Sequence, residues 1–134
     1  MTYLLDTNTC IRYLNGRSDP IRRRLEATRP QDIVVCSVVK AELFYGAMKS
    51  RNPGTTLAKQ RRFLQRFLSL PFDDSASEAY GRIRASLERI GQLIGPNDLL
   101  IAAIAIVHHV TLVTHNTREF QRVEGLSLDD WEML

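Results

Sequence analysis

Apolar residues occur along this chain in two spacings. Four short runs are apolar at nearly consecutive positions: Thr2 to Leu5, Ile33 to Cys36, Thr111 to Thr114 and Leu126 to Leu128. Short apolar runs bounded by polar residues predict buried strands, with the last at a sheet edge. Elsewhere the spacing is helical. It predicts helices from Thr7 or Asn8 to Asn15, Ile21 to Ala27, Val38 to Lys49 with Ser37 as cap, Thr55 to Leu68, Ser75 to Ile90, and Asn97 to His108. A short helix is expected from Asn116. Ser50 to Thr56, with Asn52, Pro53 and Gly54 together, reads as a helix–helix connection. Pro71 and Phe72 read as a short extended piece.

Strands alternating with helices imply βαβ units. The expected fold class is α/β: a single domain over residues 1–134, with a central parallel twisted sheet flanked by helices on both faces. Ligands of such sheets bind at the carboxyl ends of the strands, which is where chemistry is to be sought.

Composition fits that picture. The chain has 134 residues, 44% hydrophobic and 25% charged, enough for a core that needs no disulfide or structural metal. No stretch approaches the roughly 18 uncharged apolar residues of a membrane span. The acid Asp6 interrupts any signal-like N-terminus. A cytoplasmic protein with no membrane association is expected, with Cys10 and Cys36 as buried free thiols. Net charge is +3 but unevenly spread. Lys40, Lys49, Arg51, Lys59, Arg61, Arg62 and Arg66 crowd one stretch that contains one acid, Glu42. That stretch reads either as a polyanion-binding face or as a solvated helix surface. Asp129, Asp130 and Glu132 make the tail acidic.

Three acids fall where a site should lie. Asp6 directly follows the first strand, Glu42 lies early on the helix after the second, and Asp98 opens the helix whose next nine residues, Leu99 to Val107, carry no charge. Each has a bland alternative. Asp6 serves as a helix cap, although Thr7, Asn8 and Thr9 could do the same. Glu42, between the rows Val38–Tyr45 and Val39–Leu43–Ala47, forms a salt bridge to an arginine. Asp98 favours the helix dipole. Jointly they sit at one sheet edge. Converging carboxylates repel unless a cation lies between them, and oxygen-only donors select Mg²⁺ or Mn²⁺. Such an ion generates a nucleophilic hydroxide and stabilises phosphoryl charge. A fourth group is less specific: Asn116 and Glu119 have capping-box spacing, and with Thr114 they are also within reach of a metal or its waters. His108 reads as a helix end, and His115 as an isolated residue.

The segments YLLDTN, AELFYGA, IGPNDLLIAA and TLVTHNTREFQRVEGL, in this order, resemble the PIN-domain ribonucleases, and among them the VapC toxins of toxin–antitoxin pairs. The resemblance covers nearly the whole chain. It implies a metal-dependent endoribonuclease with Asp6, Glu42 and Asp98 as metal-binding acids and Thr7 or Asn8 orienting the first acid or a water. It also implies an RNA substrate, with transfer RNA as one target, a VapB-type antitoxin partner and a homodimer. Many PIN domains carry an aspartate where this chain has His115 and Asn116, and Glu119 is the nearest substitute. Two other readings compete. A non-catalytic RNA-binding module would bind RNA without metal. A haloacid-dehalogenase-like phosphatase would want Asp-x-Asp, but Asn8 stands at the second position. Finally, the hairpin around Ser50 to Thr56 is expected to clamp an amphipathic partner segment, with Phe63 and Leu64 in its groove and a partner arginine directed at the three acids.

Overall fold

A computed structural model describes residues 1–133. It places all five described strands in one parallel sheet of order β3-β2-β1-β4-β5. The strands are β1 (Tyr3–Leu5), β2 (Ile33–Cys36), β3 (Leu68–Leu70), β4 (Thr111–Val113) and β5 (Leu128–Asp129). The helices are α1 (Thr7–Leu14), α2 (Asp19–Ala27), α3 (Ser37–Lys49), α4 (Pro53–Leu64), α5 (Asp74–Arg89), α6 (Pro96–His108) and α7 (Thr117–Phe120).

The chain steps one way from β1 to β2 to β3, then returns across the sheet to β4 and β5. Right-handed crossovers put α1 to α4 on one face and α5 to α7 on the other. Strands covered on both faces need no alternation, which is why β2 and β4 are buried at every position. Leu4, Leu5, Val35, Leu112 and Val113 meet Val39 and Leu43 of α3 and Ile101 and Ile104 of α6 in the core. The direction of travel reverses between β1 and β4, so the crevice at their carboxyl ends is the topological switch point.

Several expectations shift. The helix expected from Thr55 to Leu68 ends at Leu64, and its tail is the edge strand β3. Burial rises along it from Leu68, 69% exposed, to buried Leu70, and the preceding helical spacing hid it. Phe63 and Leu64 are buried in the core, and only Phe63 lines a surface groove, a small one with Tyr13, Leu14, Lys59, Arg62 and Arg66. A polar replacement there would bury an unpaired group, costing about 1–3 kcal/mol. α3 starts at Ser37 itself, with no side-chain cap from Cys36. Tyr45, placed by spacing on an inward row with Val38, is exposed. Cys10 and Cys36 are free and buried, as expected.

Candidate active site

Asp6 is the last residue before α1, and its extended backbone makes it the helix cap. Its Oδ1 accepts from Thr9 N at 2.8 Å. Thr7, Asn8 and Thr9 are therefore not the cap, and the capping and site readings of Asp6 do not compete. Its own N–H donates to Val113 O at 3.1 Å, which ties it to the end of β4. Burial raises the Asp6 carboxyl above its ordinary value, while hydrogen bonds from Thr114 and Thr9 work the other way. Thr114 is wholly buried and also accepts from Asn116 N at 3.0 Å.

Glu42 lies half-buried on α3 and spans the crevice. Its Oε1 accepts from the Thr7 hydroxyl at 2.5 Å, and its Oε2 accepts from Asn97 Nδ2 at 3.3 Å. Three elements, α1, α3 and the start of α6, thus meet at one carboxylate. The salt-bridge alternative for Glu42 is not what the structure shows: both partners are neutral. Asp98, in the first turn of α6, is pushed up to about 6, first by burial and then by the charges of Glu42, Asp6 and Glu119. Glu42, Asp6 and Glu119 all bear on Asp98 through their charges, so the four acids are neighbours at this end of the sheet. Glu119 comes from α7, where its Oε2 accepts from Asn116 Nδ2 at 2.6 Å. The capping box does not form, because the Asn116 side chain makes no cap bond and spends its amide on Glu119.

The structure thus places Asp6, Glu42 and Glu119 where their charges reach Asp98, with Thr7 bonded to Glu42, Thr114 to Asp6 and Asn116 to Glu119. Asn8 lines an adjoining cleft with Asp6. Asn97 was missed, since an Asn beside an acid at a helix start carries no signal of its own. Arg12, His115 and Glu132 were missed as neighbours of Asp6, and they line that same cleft. The tail acids had shown only as charge.

The donor set fits a hard divalent cation. The four carboxylates offer oxygen alone, and their hydrogen-bond partners are neutral hydroxyls, amides and backbone N–H groups. A cation among them would reverse the repulsion that raises Asp98.

Comparison with known proteins agrees with this geometry. The PIN domain model matches residues 3–126. The chain is 40% identical to Ribonuclease VapC2 of Rickettsia felis, covering 98% of this chain and 99% of the relative. It is 39% identical to the tRNA(fMet)-specific endonuclease VapC of Shigella flexneri, covering 98% of each. Among solved structures, VapBC2 from Rickettsia felis, bound to a DNA fragment from its promoter, superposes with a TM-score of 0.91 at 39% identity, covering 98% of this chain and 99% of that one. These matches displace the phosphatase reading, and nucleases with PIN domains work with divalent metal ions. A carboxylate pocket at the switch point of a PIN sheet, on a chain this close to named ribonucleases, leads to one conclusion: the protein belongs to the PIN-domain family, in its VapC group, and is an endoribonuclease.

Proposed function

We propose that this endoribonuclease is the toxin of a toxin–antitoxin pair, that it acts in the cytoplasm as a single domain over residues 1–134, and that it hydrolyses phosphodiester bonds in RNA with Mg²⁺ or Mn²⁺. Transfer RNA is the proposed substrate class, after the name of the Shigella relative. The observation that carries the reading is the gathering of four acids at one end of the sheet, with Asp98 raised to about 6 by burial first and then by the charges of the other three.

Asp6, Glu42 and Asp98 would hold the ion, and Glu119 would hold a second ion or a metal-bound water. When bound, the ion supplies an activated water and stabilises charge on the phosphoryl oxygens. The chain's own part is positioning. Thr9 N aims the Asp6 carboxylate, and Thr7 and Asn97 hold the two oxygens of Glu42 apart on opposite sides. Asn116 fixes Glu119, and buried Thr114 links Asn116 to Asp6. Such outer partners hold ligands in place before the ion arrives. Asn8, at the rim beside Asp6, and Thr7 would orient water or substrate.

A VapB-like antitoxin is the proposed partner, as in the VapBC complexes among the structural relatives. A groove of about 410 Å³ between α1, α3 and α4 supports this. Ile11, Leu14, Leu43 and Gly46 line it together with Glu42, so a segment lodged there would reach that acid. A homodimer is proposed as well, supported by exposed Ile90 and Leu93 after the apolar face of α5.

RNA cleavage with and without added Mg²⁺ or Mn²⁺ tests the reading. EDTA is expected to abolish cleavage and either ion to restore it. Undiminished cleavage in chelator would refute the metal mechanism. Metal-independent RNA binding without cleavage would favour a binding module instead.

A further inference from the structure

Asp6 also lines a cleft of about 530 Å³, with Asn8, Arg12, His115, Asn116 and Glu132 among its other walls. Two basic side chains face it, Arg12 and His115, the latter favoured in its protonated form by the Asp130 carboxylate beside it. Arg12, on α1, donates Nε to Glu132 Oε1 at 2.5 Å. His115, just beyond β4, places Nδ1 2.9 Å from Asp130 Oδ2 and 3.7 Å from Glu132 Oε2. Exposure divides the four unevenly. The Arg12 and His115 side chains are 44% and 62% exposed, those of Asp130 and Glu132 only 12% and 15%. The carboxylates lie behind, and the nitrogen groups lie in front.

The acids are fixed in place. Trp131, between them in the chain, is 1% exposed, meets Tyr3 edge-on at 5.3 Å and lies 5.2 Å beneath the Arg24 guanidinium. Glu132 N donates to Asp130 Oδ1, and Thr114 N donates to Asp129 O, both at 2.9 Å. The segment from β5 to Glu132 is a strap pinned to the sheet by a buried indole.

The pairing leaves particular atoms free. A carboxylate at Nδ1 sets the imidazole so that Nε2 points outward. A carboxylate at Nε of Arg12 leaves both terminal nitrogens of the guanidinium. A planar fork and a ring N–H are donors matched to phosphate oxygens. The need is evident next door. Four carboxylates in one pocket repel an RNA backbone, and only cations within about a Debye length, roughly 8 Å, offset that repulsion effectively. His115, Asp130 and Glu132 are near enough to share a metal ion. Arg12 on Glu132, however, already compensates that carboxylate and would repel a cation beside it.

We propose that Arg12 and His115 form a phosphate-binding subsite for the RNA strand beside Asp6, and that Asp130 and Glu132 are positioning residues that hold the two cations at it. This rests on the proposed RNA-cleaving role of the acidic pocket.

The test is fluorescence anisotropy of a labelled single-stranded RNA with the full chain in an Asp98→Asn background, with Mg²⁺ present so that binding is read without cleavage. Arg12→Ala and His115→Ala are each expected to raise Kd by about five- to tenfold, because each removes a charge-assisted contact. Each should also reduce the slope of log K against log salt by about 0.7, the share of one phosphate on a single strand. Arg84→Ala, an equal charge loss on α5 where Arg84 pairs with Glu88, should leave Kd unchanged. In a Glu132→Gln background, Arg12→Ala should cost less than it does alone, since a misplaced arginine has less to lose. An equal loss in the Arg84 variant would reduce the effect to net charge and overturn the subsite. Additive Arg12 and Glu132 effects would overturn the positioning role. Unchanged RNA affinity in His115→Ala, with Mn²⁺ binding lost by calorimetry, would make the cluster a metal site and overturn the proposal. A parent chain that neither binds nor cleaves RNA would refute the proposed function, and the subsite with it.

Discussion

Two sets of carboxylates lie at the same edge of the sheet, and the protein treats them in opposite ways. Asp6, Glu42, Asp98 and Glu119 are held by neutral donors: Thr9, Thr114, Thr7, Asn97 and Asn116. Asp129, Asp130 and Glu132 each face a basic side chain, namely Arg24, His115 and Arg12. A carboxylate beside a cation is compensated, and its remaining role is to place that cation. Carboxylates held by hydroxyls and amides have no cation to compensate them, so burial and mutual repulsion raise Asp98 and a divalent ion would relieve it. The partners of the acids, not their number, therefore separate the proposed metal site from the structural strap.

The sharpest way to break this contrast is Asp98→Asn, which removes one uncompensated charge at nearly constant shape. Cleavage is expected to fall by at least about 100-fold, beyond the loss typical of an outer partner of a metal ligand. Thermal stability should hold or rise, because repulsion in the pocket is relieved. A normal cleavage rate in a less stable variant would make Asp98 a structural acid like those of the strap.

Next is the strap itself. Trp131→Ala removes a buried indole and is expected to cost about 3–5 kcal/mol by denaturant unfolding. A loss under about 1 kcal/mol would show that the strap is not pinned as described. Smaller again is Glu119→Gln, which keeps the Asn116 contact but loses the charge. Cleavage should fall by about tenfold at limiting metal and recover in part at high metal. A variant silent at every metal concentration would move Glu119 out of the pocket set and leave it as packing.

The smallest effect is in pH. Asp98 lies at about 6 in the folded chain against an ordinary 3.8. Its protonation therefore favours the folded state. That contribution is fully present below about 3.8 and is lost as pH rises through about 6. The metal-free protein should lose a few degrees of Tm across that window relative to Asp98→Asn, and saturating Mg²⁺ should remove the difference. Parallel curves for the two proteins without metal would place Asp98 outside the repulsive cluster.

Much of this was legible in advance. β1, β2 and β4 showed themselves because strands buried on both faces must be apolar at every position. β3 did not, because Leu57 and Leu64 carry a helical spacing straight into Leu68. An edge strand of three residues, exposed at one end, has no pattern of its own to set against it. Asp6, Glu42 and Asp98 were legible because each breaks an otherwise apolar context at a strand end or helix start. Asn97, His115 and Arg12 were not, since a neutral amide or an exposed base is ordinary wherever it occurs.

By itself the sequence determined the kind of elements, their order, and which acids were out of place. Those depend on local spacing and on the cost of burying charge, both readable along one dimension. Only the tertiary structure decided which acids share a pocket and which are already paired. Reversal of the chain between β1 and β4 brings Asp6, Thr114 and the tail acids to one edge. Charge interaction falls with distance through space, not along the chain, so Arg12 could meet Glu132, 120 positions away by number, only after the sheet had closed around Trp131.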